Sequence, residues 1–234
     1  DVRMARGDHR AARTLLEQAV AIAPGFAIAQ FMLGTIYEAD GHYDLAIERY
    51  KQTLEAQPPQ ARDHFWGVLG QATAFRVRPA ALNNLAYALA VYRHSPEEAL
   101  PVALSAVAKS PDDPSILDTL AWIEFLIGDT ADANTHIRAS LANGAPPPTV
   151  RLHAAAILAA TGARTEARLQ LNELLRAQPD LQGSEEVARI GRQLEDDDCI
   201  NEPSSACRAE PPPPVGKVPT IDPKNVAALA ATVD

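Results

Sequence analysis

The stretch Ala27–Pro58, AIAQFMLGTIYEADGHYDLAIERYKQTLEAQP, constrains this chain most, because the rest of the sequence reads as stronger or weaker copies of it. Phe31, Leu33, Gly34 and Tyr37 recur at three- and four-residue steps and so share one stripe of a helix. Gly34 and Ala46 carry almost no side chain, which lets two helix backbones approach closely where ridges would otherwise collide. Asp40-Gly41 supplies a helix stop, since Gly tolerates the left-handed conformation that closes a C-terminus. Pro58 cannot continue a helix and disfavours helix in the residue before it. The spacing predicts two short antiparallel helices, over roughly Ala27–Ala39 and Tyr43–Ala56.

The same small-residue pairs recur at a step of about 34 residues. Gly7-Asp8, Ala12, Leu16, Ala19 and Pro24 repeat the second helix alone, giving a half-repeat over 1–26. Leu85-Ala86, Leu89, Ala99, Ala103, Ala106 and Pro111 define a unit over 79–113; Ser95-Pro96-Glu97-Glu98 starts its second helix, with Ser95 as N-cap and two carboxylates near the positive end of the dipole. Leu120-Ala121, Glu124, Gly128, Ala133, Ile137 and Ser140 define a unit over 114–147, and Ala154-Ala155, Leu158, Gly162, Ala167, Leu171, Leu174 and Pro179 one over 148–181. Glu124 stands where other units have an aromatic or Leu, so looser packing is expected there. Val187, Ile190, Gly191 and Leu194 lie on one stripe and predict a capping helix over 184–195. Between Pro59 and Arg78 the periodicity fails. That insertion, 59–78, is read as an extra helix and loop packed between repeats, the alternative being a binding loop.

The order Leu33-Gly34, Tyr37, Gly41, Ala46, Tyr50, Pro58 resembles the tetratricopeptide repeat, a helical hairpin of about 34 residues. The resemblance implies an all-α, right-handed α-α solenoid over 1–195, with units 27–58, 79–113, 114–147 and 148–181. The chain opens without Met or a charged-then-apolar leader, and a half-repeat leaves an apolar face uncovered, so more protein is expected before Asp1.

Composition agrees with closely packed helices: 47% of residues are apolar while only 5% are aromatic. Thirty acidic against twenty-one basic residues leave a net charge of −9, which opposes nucleic acid or anionic lipid as main partner. No apolar run approaches the roughly 18 residues that would span a bilayer. No phosphate loop, nucleophile elbow or paired metal motif is found, and His9, His42, His64, His94, His136 and His153 lack Cys or His partners at helical spacing. Neither catalysis nor a cofactor is expected.

In the tetratricopeptide family the first helices line a concave face that holds protein partners, often extended peptides. Here that face would carry Phe31 and Thr35, then Asn83 and Tyr87, then Asp118, Trp122 and Phe125, then Leu152 and Ala156. Members that clamp acidic peptide termini use Lys, Arg and Asn, and only Asn83 is found, so an apolar or proline-rich segment fits better. The competing reading makes Trp122 and Phe125 interhelical core. The function implied is a non-enzymatic interaction scaffold, an accessory subunit tethered to a larger assembly; the alternative is the repeat portion of a larger multidomain protein or enzyme.

Residues 196–234 read as an extended tail. Pro211–Pro214 favours polyproline II. Cys199 and Cys207 are the only cysteines and are expected to pair as a disulfide rather than stay as two reduced thiols, which would place the chain in a bacterial periplasm or envelope rather than the cytoplasm. Asp222-Pro223 starts a short helix with Val226, Leu229 and Ala230 on one side, expected to dock on a partner; the tail's other possible seat is the chain's own groove, near Tyr87 and Trp122.

Overall fold

The computed structural model describes residues 9–56, 64–142 and 144–201, with side chains left out for 64–76 and 196–201. Every regular element among the described residues is helical: α1 (His9–Ile22), α2 (Ala27–Ala39), α3 (Tyr43–Glu55), α4 (His64–Val91), α5 (Pro96–Val107), α6 (Pro114–Ile127), α7 (Thr130–Leu141), α8 (Pro148–Ala160), α9 (Arg164–Ala177) and α10 (Glu185–Asn201), with a 3-10 turn over Pro179–Gly183. Three of the four hairpin stops are glycines: Gly41, Gly128 and Gly162 have φ of 76°, 97° and 80°, a region closed to most side chains, while the turn between α4 and α5 has His94 at φ 53°. Asp113 starts α6, its carboxylate accepting from the backbone N–H of Ser115 and Ile116 ahead of a first-position Pro114.

Each first helix packs on its own second helix (α2 on α3, α4 on α5, α6 on α7, α8 on α9), and each second helix packs on the next first helix. First helices also touch one another directly, α2 with α4, α4 with α6, α6 with α8 and α8 with α10, whereas second helices make no comparable contact among themselves. The first helices are therefore the inner layer of an all-α solenoid. One apolar core runs its length, from Val20 to Leu194. Its interhelical positions are the small residues read from the sequence: Ala46, Ala86, Ala99, Ala121, Ala133, Ala154, Ala155 and Ala167 are all fully buried.

Four expectations change. The helix read within the 59–78 insertion is not a separate element: residues 64–78 are the N-terminal part of α4, which runs 28 residues and contains Pro79; Arg78 from this extension donates to the Ala56 carbonyl at the end of α3. Ser95 occupies the N-cap position of α5, yet its hydroxyl bonds the Arg93 carbonyl at 3.2 Å and not the helix N–H groups. Glu124 does not loosen its unit. It is 6% exposed and paired to His136 Nδ1 at 2.7 Å, the ring nitrogen giving the polar position a partner within the hairpin. The capping helix, whose Val187, Ile190 and Leu194 are buried as expected, continues to Asn201 and so takes in the acidic run and Cys199. Cys207, Pro211–Pro214 and the segment with Val226, Leu229 and Ala230 lie outside the described residues.

Candidate functional site

The inner layer brings one or more polar groups from each first helix to a common line. On α2, Phe31 and Thr35 are half-buried; the Phe31 ring sits 6.0 Å from that of Tyr50, and Thr35 donates to the Met32 carbonyl. On α4, Asn83 and Tyr87 are half-buried one turn apart. On α6, Asp118 is 6% and Trp122 0% exposed, with Phe125 half-buried beside them. Leu152 and Ala156 of α8 are each 4% exposed. The residues assigned to a concave face thus share a layer, but Asp118, Trp122, Leu152 and Ala156 lie within it and not on its surface. Trp122 takes the place given by the interhelical reading.

His153, on α8, explains the burial of Trp122. Its ring stacks on the indole, centroids 4.2 Å apart at 14°, while its Nδ1–H donates to both Asp118 oxygens at 3.0 Å. Tyr87 reaches across from α4 to the same imidazole at 6.2 Å and meets Tyr92 edge-on at 5.9 Å, and Tyr92 stacks on Tyr43 at 3.7 Å. The result is an aromatic run, Tyr43, Tyr92, Tyr87, His153, Trp122 and Phe125, crossing the layer.

Carboxylates border this run. Glu38 of α2 accepts from the hydroxyls of Tyr50 and Tyr92. Burial raises its pKa, with the two tyrosine hydrogen bonds working the other way. Glu186 of α10 is likewise raised by burial, against the pull of His153 and Arg189. Burial pushes the Tyr87 hydroxyl well above its ordinary value, and Asp118, Glu38 and Glu186 add to the shift, so three carboxylates from α2, α6 and α10 act on one phenol. Four buried polar atoms here have no hydrogen-bond partner: Asn83 Oδ1, Tyr87 OH, Trp122 Nε1 and Glu186 Oε1. Among the described residues no His, Cys, Asp and Glu cluster suits a metal ion.

The raised acids fix a pH dependence. A carboxyl whose folded pKa lies above its ordinary 4.5 holds protons more tightly folded than unfolded. Its contribution is complete below that ordinary value and is lost as pH rises through the folded one. Glu38→Gln is expected to flatten the fall in melting temperature between mildly acidic and neutral pH. Parallel melting curves for both proteins across that range would contradict it.

Sequence reasoning missed Glu38, Tyr92, His153 and Glu186. Helical spacing along α8 gives His153 no Cys or His partner three or four residues away. Its partner Asp118 lies one repeat back, on the preceding first helix, and only aligning the repeats sets the two at neighbouring positions.

A tetratricopeptide repeat model matches residues 3–71 of this chain. A TPR repeat-containing protein of Pseudomonas aeruginosa is 43% identical over 61 residues, which are 26% of this chain and 10% of that protein; the match thus spans about a tenth of the curated relative's length. Two solved structures share the fold. YrrB, described as a TPR protein with an unusual peptide-binding site, is 16% identical with a TM-score of 0.53, covering 79% of this chain and 84% of its own. A thermophilic TPR protein of Thermus thermophilus is 22% identical with a TM-score of 0.53, covering 82% of this chain and 93% of its own.

Proposed function

We propose that this chain, which belongs to the tetratricopeptide repeat family, is a non-enzymatic interaction scaffold that holds an extended segment of a partner protein along its layer of first helices, as an accessory subunit of a larger assembly. One observation carries this reading: the inner layer keeps Asn83 Oδ1, Tyr87 OH and Trp122 Nε1 without hydrogen-bond partners, and Glu186 Oε1 with only the Arg189 guanidinium at 3.8 Å. Unpaired buried polar atoms cost stability, and a scaffold tolerates the cost when a ligand supplies the missing bonds. The set is rich in acceptors and lies among Glu38, Asp118 and Glu186, so it favours a segment that brings N–H donors or a basic side chain and disfavours an acidic one. Phe31 and Phe125, half-buried at the edges, add apolar contact. Rotamer changes of the ordinary size on binding bring Asn83 and Tyr87 to the ligand.

Tyr87→Phe separates binding from folding. It deletes an unpartnered hydroxyl, so the melting temperature should hold or rise, while affinity for a basic, proline-containing peptide should fall about tenfold, the equivalent of one hydrogen bond at about 1.4 kcal/mol. Fluorescence polarisation with labelled basic, neutral and acidic peptides of equal length measures this. Equal binding of all three, or none by any, would overturn the reading.

A second reading, the repeat portion of a larger multidomain protein, is favoured by the curated relative, of which the matched stretch is only 10%.

A further inference from the structure

Tyr87 stands where the acids of the inner layer converge. Its hydroxyl is buried and makes no hydrogen bond, yet Glu38 of α2, Asp118 of α6 and Glu186 of α10 all act on it. Rings connect the phenol to two of these acids. Tyr92, which donates to Glu38 at 3.3 Å, meets Tyr87 edge-on, and His153, which holds Asp118, lies 6.2 Å away on the other side.

The three acids differ in how far the chain itself neutralises them. Asp118 is closed, both oxygens taken by the His153 Nδ1–H. Glu38 is half-buried and accepts from Tyr50 and Tyr92, neutral donors that bring no positive charge. The Glu186 side chain is 12% exposed, and the Arg189 guanidinium stands 3.8 Å from its Oε1, too far for a hydrogen bond. Among the described residues, the layer around Tyr87 thus holds more buried negative charge than its own cations offset. Buried charge of this kind is stable when a partner of opposite sign pairs with it.

The orphaned atoms define the chemistry of that partner. Asn83 Oδ1, Tyr87 OH and Glu186 Oε1 can each accept a hydrogen bond, whereas Trp122, 0% exposed, presents its Nε1–H as a donor. An ammonium carries three N–H donors and takes acceptors singly from separate side chains. A guanidinium is a planar fork, best matched by the two oxygens of one carboxylate. Single acceptors drawn from α4 and α10 suit the ammonium. A lysine residue also brings a backbone carbonyl for the Trp122 N–H, and its four-carbon stem is matched to the rings of Tyr87 and Tyr92.

We propose, resting on the scaffold reading above, that the partner segment inserts one lysine side chain into the inner layer, its ammonium seated at Tyr87 and paired by Glu38 and Glu186. Four labelled peptides of one proline-containing sequence test this on the full chain. Each has blocked ends and differs only at one central position, which is lysine, acetylated lysine, arginine or glutamate. Fluorescence polarisation should show the lysine peptide binding about tenfold more tightly than the acetylated one, the scale of one charge-assisted pairing, with arginine between them and glutamate weakest. Glu38→Gln and Glu186→Gln keep side-chain size and remove charge, so each should bring the ratio of lysine to acetylated lysine below about threefold. Glu98→Gln makes the same change of net charge on the exposed first turn of α5 and should leave that ratio as it is.

Lysine and acetylated peptides of equal affinity, both tighter than the glutamate peptide, overturn the proposal and leave the scaffold reading standing. A lysine preference that survives both Glu38→Gln and Glu186→Gln overturns this seat, and an arginine peptide that binds tightest overturns the choice of an ammonium. Equal binding of all four peptides, or binding of none, overturns the proposal together with the scaffold reading.

Discussion

Gly34→Leu is expected to destabilise the N-terminal repeat by about 3 kcal/mol, the upper part of the range for overpacked cores. A Cβ built on Gly34 meets Tyr50 Cε1 at 2.6 Å and Cδ1 at 2.8 Å. Tyr50 has no room to withdraw: it is fully buried, donates its hydroxyl to Glu38 and accepts from Asn84 Nδ2 at 3.3 Å. Helix propensity acts the other way, since Gly in a helix interior is worse than Ala by about 1 kcal/mol. That gain offsets part of the clash for Gly34→Ala and little of it for Leu. Neighbouring repeats have Ala86, Ala121 and Ala155 at this position, opposite Ala103, Ile137 and Leu171, all smaller than Tyr. Tyr50→Leu should therefore rescue Gly34→Ala. Because repeat arrays loosen locally, the loss should appear first as faster hydrogen exchange in α1 to α3. A Gly34→Leu protein that melts within a degree of the parent would remove Gly34 from the list of contact points.

The hairpins were legible in the sequence because their punctuation is local. Gly41, Gly128 and Gly162 stop helices through their own backbone freedom. The boundary at 79 misled for the same reason: Pro79 stands in register with Pro114 and Pro148, six residues before Leu85-Ala86, where the unit 79–113 was taken to begin. In the structure α4 extends upstream past it to His64. Ser95 misled because a hydroxyl has several backbone acceptors within reach, and the Arg93 carbonyl won. For the candidate site, the family resemblance assigned Asp118, Trp122 and Phe125 to the concave face of one first helix, and the structure puts Asp118 and Trp122 within the inner layer rather than on its surface. Depth on that face was not legible, since it depends on α8 laying His153 over the indole. Contacts between successive first helices are separated by about a repeat length, and helical spacing within one segment does not reveal them.

His153→Leu is expected to be the most costly single change in the inner layer, about 3–5 kcal/mol, the range for stripping a buried charge of its partner. Asp118 is 6% exposed and the His153 Nδ1–H spans both its oxygens at 3.0 Å; without the imidazole the carboxylate is left among Trp122, Tyr87 and the first-helix backbones. Loss of the stack on Trp122 adds about 0.5–1.5 kcal/mol, offset in part by the apolar contact of the new leucine. Asp118→Leu should cost less, about 1–3 kcal/mol, because the group stranded is a ring N–H and not a carboxylate. The double variant decides between pairing and mere burial. Replacing both partners by apolar residues leaves nothing unsatisfied, so it should be more stable than His153→Leu alone, with a coupling energy of about 1–3 kcal/mol. Denaturant unfolding followed by tryptophan fluorescence reads this cycle, since Trp122 lies directly on the imidazole. Single costs that simply add in the double variant would show that Asp118 and His153 are buried side by side without depending on each other.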